Sequence, residues 1–435
     1  MAYSLGVFLR DKQVAVLTLD KTSGQLKITY LDTWQQNGYA ISPGLPLSNQ
    51  HSLTAYLDNL LPEGEARHLL ATRLGVSEKQ VYPQIRALGE DLSGAFSFCN
   101  TAPDVNAPAA FRPIGEAELI ERLNHKEDFG LLHWDDKPRL SVAGVQDKLN
   151  VFVTKQGDIG FGDGAYCSTH ILKFEKPNSE HLVLNEYICM KLSSAVGLPT
   201  AEVEFKRFGP HPALLVRRFD RALEQTASRV LRRHVIDGCQ ALNLPRDYKY
   251  ERNLGDGRDV LHIRDGASLP TLAELCEQTS SPVQSKQWLI NWQLFNLMIS
   301  NYDSHGKNVS FYMSKNTFMF TPAYDLVNVS MFEQFKHTLA MAMGDEFSPC
   351  DIHAYQIADF AETCSLDRKL VSRMLADLAK SVLKTLDDRQ FLTELFTLQT
   401  LSRAEHGYID VLLENIRIRT THLQSQVQEI LTIEL

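Results

Sequence analysis

The polar stretch NYDSHGKNVSF, residues 301–311, holds the side chains best suited to carry out chemistry in this sequence. Asp303 can orient a hydroxyl group and accept its proton. Asn308, five positions later, can hold a metal ion through its amide oxygen. An Asp and an Asn at this interval also occur in ordinary Asx-turns, so this pair alone does not separate a reactive loop from a solvated turn.

Three further residues match the other requirements of phosphoryl transfer, which needs metal ligands, a lysine for the phosphates and a carboxylate to aim that lysine. Asp325, in TPAYDLVN, follows Asn308 by seventeen positions and can supply a second metal-binding oxygen. Lys173 interrupts the apolar strand-like run THILKFE, and Glu186 lies in the next predicted helix, within reach of that lysine.

The segment VAGVQDK, residues 142–148, lies between two predicted strands and can cover phosphates with its backbone N–H groups, with Lys148 as an added charge. It lacks the G-x-x-x-x-G-K-[ST] pattern of a Walker loop, and a hairpin turn is its ordinary alternative. A strand-edge position is the alternative for Lys173, and a solvated helix position is the alternative for Glu186. The order of all these parts along the chain favours the chemical interpretation.

The elements that must position these residues begin with a small α/β unit. Residues 4–31 predict three short strands, because β-branched and aromatic residues alternate between the turn signals DK and SG. Residues 51–90 have leucines at helical spacing, and GAFSF predicts a returning strand. The aperiodic stretch NTAPDVNAPAAFRP, residues 100–113, is the first candidate boundary.

A larger unit is predicted to start at Arg139, with strands around the loop 142–148, a helix and two further strands. Gly197 and Pro199 are predicted to end that helix. Beyond about residue 270 the pattern is mainly helical, apart from NVSFYMS and TFMFTPAY. A mixed sheet lobe followed by a helical lobe predicts a two-lobed α+β arrangement with a cleft between the lobes.

Composition excludes several classes of protein. The chain of 435 residues has 44% hydrophobic and 22% charged residues, which is typical of folded globular proteins and not of disordered or fibrous ones. Its formal charge of −9 argues against a sequence-independent DNA binder acting alone. Seven scattered cysteines and the absence of a long apolar run predict a soluble, cytoplasmic protein without a membrane segment or a zinc site.

The motifs in their order resemble the HipA family, the serine/threonine-kinase toxins of bacterial type II toxin–antitoxin modules. The resemblance covers nearly the whole chain, and the motifs that carry it are NLLPEGEARHLL, LGEDLSGAFSF, RLSVAGVQDKL, THILKFEKP, NEYICMKLSSAVGLPTAEVEF, LLVRRFDR, SNYDSHGKNVSF and TPAYDLV. It implies an α+β, two-lobed protein-kinase-like fold with an N-terminal α/β subdomain and a helical C-terminal lobe. The implied divisions are an N-terminal subdomain, a linker with a helix, an N-lobe core and a helical C-lobe, at residues 1–105, 106–138, 139–265 and 266–435.

The resemblance also implies a role for each matching position. Asp303 would be the catalytic base, Asn308 and Asp325 would be Mg²⁺ ligands, and Glu186 would orient Lys173. Ser141 falls where the family carries a regulatory autophosphorylated serine, whose phosphorylation would eject the phosphate loop. The implied ATP-binding residues are Ala143, Gly144, Val145, Gln146, Asp147, Lys148, Lys173, Arg217, Arg218, Phe219, His305, Gly306, Lys307, Asn308, Tyr324 and Asp325.

The sequence departs from eukaryotic protein kinases at two places and from the best-known relative of the family at a third. It reads NYD instead of histidine–arginine–aspartate, and His305 gives D-x-H-x-x-N, a form closer to lipid-kinase loops. Asp325 is followed by Leu326 and Val327, so no D-F-G glycine is present. Arg217 stands where the best-known relative of the family carries an acid, which is harmless if adenine contacts only the backbone there.

The partners implied by the resemblance are a helix-turn-helix antitoxin, operator DNA reached through that antitoxin, and a protein substrate such as an aminoacyl-tRNA synthetase. The leading hypothesis is therefore an ATP- and Mg²⁺-dependent protein serine/threonine kinase that acts as a toxin and co-represses its operon. One alternative is a DNA-bound corepressor with little kinase activity. Another is a small-molecule or lipid phosphotransferase with the same catalytic parts.

Overall fold

A computed structural model describes most of the chain, namely residues 3–20, 22–48, 50–89, 92–125, 131, 133–135, 137–138, 147–176, 178–226, 229–398 and 401–435. The chain divides into two compact units. Unit 1 comprises Met1–Lys176, Phe208–Arg246 and Phe311–Thr317. Unit 2 comprises Pro177–Arg207, Asp247–Ser310 and Phe318–Leu435.

The strands of the described residues are short and are numbered in chain order. They are β1 Ser4–Leu9, β2 Lys12–Leu19, β3 Leu26–Tyr30, β4 His51–Ser52, β5 Phe96–Cys99, β6 Ala110–Pro113, β7 His133–Trp134, β8 Lys137–Pro138, β9 Lys148–Val153, β10 Ile159–Asp163, β11 His170–Phe174, β12 Val203–Phe208, β13 His211–Arg217, β14 Arg221–Leu223, β15 Val230–Arg232, β16 Val235–Asp237, β17 Ser310–Met313 and β18 Phe318–Phe320.

The helices of the described residues become longer toward the C-terminus. They are α1 Asp32–Asn37, α2 Thr54–Leu60, α3 Gly64–Leu74, α4 Val81–Leu88, α5 Glu116–Asn124, α6 Leu182–Ala195, α7 Gly238–Ala241, α8 Leu269–Cys276, α9 Pro282–Met298, α10 Ala354–Thr363, α11 Arg368–Leu386, α12 Arg389–Phe396 and α13 Arg403–Ser425.

The first sheet of unit 1 is antiparallel and has the strand order β4-β3-β2-β1-β5. Its alternating apolar residues, such as Leu5, Val7, Leu17 and Ile28, are fully buried, as the period of two requires when one face of a sheet packs on a core. The three predicted N-terminal strands and the returning strand are therefore confirmed.

A second antiparallel sheet of unit 1 contains the strand order β13-β11-β9-β10-β6. One face packs on an apolar cluster that includes Leu149, Val151, Leu172 and Phe174. Because side chains alternate across a strand, Lys148 and Lys173 lie on the opposite face of β9 and β11. This alternation keeps the two lysines away from that apolar cluster.

The glycine-rich stretch of residues 155–166 contains the strand β10. A Cβ atom on Gly160 would collide with the carbonyl oxygen of Arg112 on β6. Glycine therefore allows β6 and β10 to approach each other closely enough to pair.

In unit 2, α6 ends as predicted, with Gly197 in the left-handed region at φ +88°. Its N–H donates to Ser194 O over 3.1 Å, so the glycine satisfies a carbonyl of the last helical turn. Helices α9, α11 and α13 pack on one another around buried leucine and isoleucine residues, which include Leu289, Leu375 and Ile416. The predicted change to a mainly helical chain beyond residue 270 is confirmed.

The predicted domain boundaries remain predictions. The stretch 106–138, predicted as a linker with a helix, contributes β6 and α5 to unit 1. Residues 311–317 also belong to unit 1, although they follow the polar loop of unit 2 directly in sequence.

Candidate active site

The loop that carries Asp303 is fixed by buried asparagines at the end of α9. Asn296 is fully buried, and its side-chain oxygen accepts a 2.7 Å hydrogen bond from Asn301 Nδ2. The backbone N–H of Asn301 donates to Asn296 O over 2.8 Å, and Asn301 Oδ1 accepts from the Asp303 N–H over 3.3 Å. Asp303 itself is exposed, so a loop that buried asparagines hold in place presents this carboxylate to solvent.

Asn308 and Asp325 lie together in unit 2, as a common metal site requires. Asn308 ends the 3₁₀ turn Gly306–Asn308 and is 4% exposed. Its Nδ2 donates to Asp325 Oδ2 over 3.2 Å. An amide and a carboxylate are oxygen donors of the kind that Mg²⁺ prefers, so this pair fits the metal that the family resemblance implies.

The backbone of Asp325 adopts a left-handed conformation, with φ +59°. Aspartate tolerates this region better than most residues, yet the conformation still needs support from its neighbours. That support comes from Ala323, whose N–H donates to Pro199 O over 2.8 Å and whose carbonyl accepts from the Ala201 N–H over 2.9 Å. Leu326, on the other side, is 1% exposed.

Tyr324 and Lys307, both predicted to bind ATP, also contact each other. The Tyr324 hydroxyl donates to Lys307 O over 2.7 Å and lies 2.7 Å from Ser310 Oγ. The tyrosine thereby joins the Asp325 segment to the loop that carries Asp303 and Asn308. Lys307 is only 9% exposed, and Gly306, between it and His305, donates to Lys249 O over 2.9 Å.

In unit 1, Lys148 and Lys173 are direct cross-strand partners in the pairing of β9 with β11. Lys148 is 7% exposed and Lys173 is half-buried. Next to them, Asp147 O accepts a 2.9 Å hydrogen bond from the Phe174 N–H. The two ammonium groups suit phosphate oxygens.

The rest of the predicted phosphate loop, Ala143 to Gln146, and the predicted regulatory Ser141 lie outside the described residues. Glu186 is 1% exposed in α6 of unit 2, whereas Lys173, its predicted partner, lies in unit 1. The predicted pairing of Glu186 with Lys173 stays a prediction.

The predicted adenine-binding stretch Arg217 to Phe219 starts at the last residue of β13. Arg217 is exposed, and the Arg218 N–H donates to Thr169 O over 2.9 Å. The carbonyl of Phe219 accepts a 3.2 Å hydrogen bond from the Tyr312 hydroxyl, and the two rings pack edge-to-face. This stretch is therefore anchored within unit 1 on both sides.

The buried ion cluster around Asp220 was not predicted from the sequence. Arg218 makes two 2.9 Å hydrogen bonds to the Asp220 carboxylate, and Arg221 contacts the same carboxylate. The Gly94 N–H donates to Asp220 Oδ2 over 3.2 Å. Burial alone would raise the pKa of Asp220, but the two guanidinium groups outweigh burial and hold this pKa well below its usual range. The only signal of this cluster in the sequence is the run of opposite charges in RRFDR, residues 217–221.

Tyr250 is a second residue that the sequence did not reveal. Its hydroxyl donates to Asp303 Oδ1 over 2.8 Å, and its ring packs edge-to-face on His305 at 5.2 Å. No spacing or motif in the sequence distinguishes this tyrosine from the thirteen others.

No helix in the described part of the chain is long and apolar enough to cross a membrane.

Comparisons with known proteins cover almost the whole chain. The model of the HipA N-terminal domain matches residues 5–99, and that of the HipA-like C-terminal domain matches residues 140–386. The serine/threonine-protein kinase toxin HipA of Shewanella oneidensis is 41% identical over 94% of this chain and 97% of its own length. A putative kinase of Sinorhizobium fredii, Y4mE, is 28% identical over 88% of this chain and 92% of its own.

A solved structure agrees with these matches. The complex of HipA, HipB and operator DNA from Shewanella oneidensis MR-1 contains a chain that is 39% identical, with 99% of this chain and 100% of that chain covered and a TM-score of 0.88. The predicted α+β, kinase-like fold is thus confirmed, as is the predicted enzyme class of protein serine/threonine kinase. On these matches, the chain belongs to the HipA family.

Proposed function

We propose that this chain transfers the γ-phosphoryl group of ATP to serine or threonine hydroxyls, with Asp303 as the catalytic base. The observation that carries this proposal is the contact of Asp325 with Asn308, which lies in the same loop as Asp303. The acceptor oxygen forms its bond to the γ-phosphorus while the bond from phosphorus to ADP breaks, and the acceptor's proton passes to Asp303.

Asn308 and Asp325 would hold Mg²⁺, which neutralises negative charge on the phosphates. The hydrogen bond from Asn308 Nδ2 to Asp325 supports this assignment, because it brings the two side chains together and commits the amide nitrogen, so that Asn308 Oδ1 is the atom that can hold a metal ion. Two hydrogen bonds hold the turn that carries Asn308. The Gly306 N–H donates to Lys249 O, and the Tyr324 hydroxyl donates to Lys307 O.

The opposed pair Lys148 and Lys173 would bind the phosphates, together with backbone groups of residues 143–148. Glu186 would orient Lys173. The backbone from Arg217 to Phe219 would contact adenine, an arrangement that tolerates the arginine at position 217. The bonds that anchor Arg218 and Phe219 support a fixed position for this stretch.

We further propose that the chain is the toxin of a toxin–antitoxin pair in the cytoplasm, that it phosphorylates a serine in a translation-related protein, and that it autophosphorylates on Ser141. A helix-turn-helix antitoxin would neutralise it and bring it to operator DNA. The support is the 41% identity to a named HipA toxin and the likeness to the HipA of a complex with HipB and operator DNA.

Corepression with little kinase activity is the second candidate, and the operator DNA in that solved complex favours it. The formal charge of −9 suits a chain whose partner supplies most contacts to DNA phosphates. The two functions can coexist, since one uses Asp303 and the other uses a binding surface.

The substitution Asp303→Ala separates the two functions. We expect it to abolish growth inhibition and phosphate incorporation at Ser141, and to leave operator binding with the antitoxin unchanged. The matched control is Asp377→Ala, which removes an exposed carboxylate from α11. Growth inhibition that persists in Asp303→Ala, with no phosphate on the unsubstituted protein, would contradict the kinase proposal and favour corepression.

A further inference from the structure

We propose that Tyr250 is a positioning residue for the catalytic base, an inference that rests on the proposed role of Asp303. The Tyr250 hydroxyl donates a 2.8 Å hydrogen bond to Asp303 Oδ1. A hydrogen bond to an ionised carboxylate is stronger and more directional than one between neutral groups. Because Asp303 is exposed, its orientation otherwise depends on its own backbone and on free rotation of its side chain.

The backbone on either side of Tyr250 is held firmly within unit 2. Lys249 O accepts a 2.9 Å hydrogen bond from the Gly306 N–H, which belongs to the same loop as Asp303. The Glu251 N–H donates to Ala340 O over 2.9 Å, and the Ala340 N–H donates to Tyr302 O over 2.9 Å. The backbone of Tyr250 is therefore tied to the loop of Asp303 by its two neighbours in sequence.

The segment 248–251, which contains Tyr250, is also hydrogen-bonded to residues 266–267. The Gly266 N–H donates to Glu251 O over 3.2 Å, and the Ala267 N–H donates to Tyr248 O over 2.8 Å. A Cβ atom on Gly266 would collide with the carbonyl oxygen of Tyr250, so glycine is needed for this close approach.

The ring of Tyr250 is positioned by its neighbours as well. It packs edge-to-face on His305, with the ring centroids 5.2 Å apart, and Lys249 Nζ lies 5.4 Å from its centroid. His305 is 7% exposed, so it offers the tyrosine a nearly immobile surface. These contacts explain why a residue that is 36% exposed can direct its hydroxyl to one carboxylate oxygen.

The hydrogen bond from Tyr250 gives the two carboxylate oxygens of Asp303 different roles. With Oδ1 bound by the phenol, Oδ2 is the oxygen directed to the acceptor hydroxyl. The opposite interpretation is that Tyr250 occupies the place of the acceptor hydroxyl and blocks the site. The backbone bonds on both sides oppose this interpretation, because substrate would have to displace a segment that several hydrogen bonds hold.

The test is Tyr250→Phe in the full-length chain, since phenylalanine keeps the ring against His305 and removes only the hydroxyl. The probe is phosphate incorporated into the chain itself from radiolabelled ATP with saturating Mg²⁺, in single turnovers at a series of ATP concentrations. We expect the maximal rate to fall by about tenfold, because without this hydrogen bond the Asp303 carboxylate spends less time in the orientation that accepts the proton. The half-saturating ATP concentration should stay within about twofold, because the substitution removes a hydrogen bond to the proposed base and leaves both proposed metal ligands in place.

Tyr248→Phe is the matched control, because it removes a half-buried phenol two residues away and should leave the rate unchanged. An unchanged maximal rate in Tyr250→Phe, with Asp303→Ala inactive, would overturn the role of Tyr250 and leave the proposed function intact. A faster rate would overturn it in favour of the blocking interpretation. A fall in the maximal rate together with a large rise in the half-saturating ATP concentration would indicate a merely structural role for Tyr250. That result would also overturn the proposal. No incorporation by the unsubstituted chain would overturn both proposals.

Discussion

Asn308 Nδ2 donates to Asp325 Oδ2 over 3.2 Å, which joins two segments that lie seventeen residues apart in sequence. Asn308 reaches this contact from a 3₁₀ turn, and Asp325 reaches it from a left-handed backbone. Two unusual local conformations thus meet at one pair of oxygen-bearing side chains. An uncommon backbone conformation that neighbouring hydrogen bonds hold in place is typical of a functional site.

The first prediction concerns metal binding by this pair. In Asn308→Ala, one oxygen ligand is lost, and the Mg²⁺ concentration that half-saturates phosphate incorporation should rise at least about tenfold. The measurement is a Mg²⁺ titration of the initial rate at fixed ATP. Asn316→Ala, an exposed amide in the turn before β18, is the control and should not change the titration. An unaltered half-saturation point in Asn308→Ala would remove Asn308 from the metal site.

The second prediction concerns the buried cluster around Asp220. Asp220→Asn leaves the guanidinium groups of Arg218 and Arg221 buried without their carboxylate, so the free energy of unfolding should fall by about 3–5 kcal/mol. Urea unfolding followed by circular dichroism measures this change. Glu224→Gln, which breaks the partly exposed pair with Arg229, should cost no more than about 1 kcal/mol. Equal effects in the two variants would contradict the cluster's role.

This cluster also illustrates what the sequence could not predict. Strand and helix periods predicted β1, β11, α6 and the loop 301–311, because each depends on residues adjacent in the chain. The contacts of Asp220 with Gly94 and of Tyr250 with Asp303 join positions 126 and 53 residues apart. Such contacts depend on tertiary packing, which one sequence does not reveal. The meeting of Asn308 with Asp325 was predictable only because phosphoryl transfer requires both ligands.

The third prediction concerns His234 in unit 1. Burial lowers its pKa to about 4, and its Nε2–H donates to Ile41 O over 2.7 Å. The folded chain therefore holds this imidazole neutral, whereas the unfolded chain protonates it near pH 6.5. The stability it contributes is fully present above pH 6.5 and is lost as the pH falls toward 4. The loss over this window is about 3 kcal/mol.

His234→Gln keeps a side-chain N–H donor for Ile41 O but does not titrate. Urea unfolding between pH 7 and pH 4 should therefore show a shallower loss of stability in this variant than in the unsubstituted protein. Asp220 contributes the same slope to both proteins, because its lowered pKa keeps it ionised in the folded chain and the unfolded chain begins to protonate it only toward pH 4. His125→Gln, at an exposed histidine, is the control. Identical pH profiles for His234→Gln and the unsubstituted protein would contradict the prediction.

The most direct test of the kinase function is the intact mass of the full-length chain before and after incubation with ATP and Mg²⁺. The chain must first be treated with a phosphatase and confirmed to carry no phosphate. The unsubstituted protein and Asp377→Ala should each gain the mass of one phosphate, on Ser141, while Asp303→Ala gains none and still binds ATP. Equal phosphate gain in Asp303→Ala, or no gain in the unsubstituted protein, would contradict the assignment of Asp303 as the base of a protein kinase.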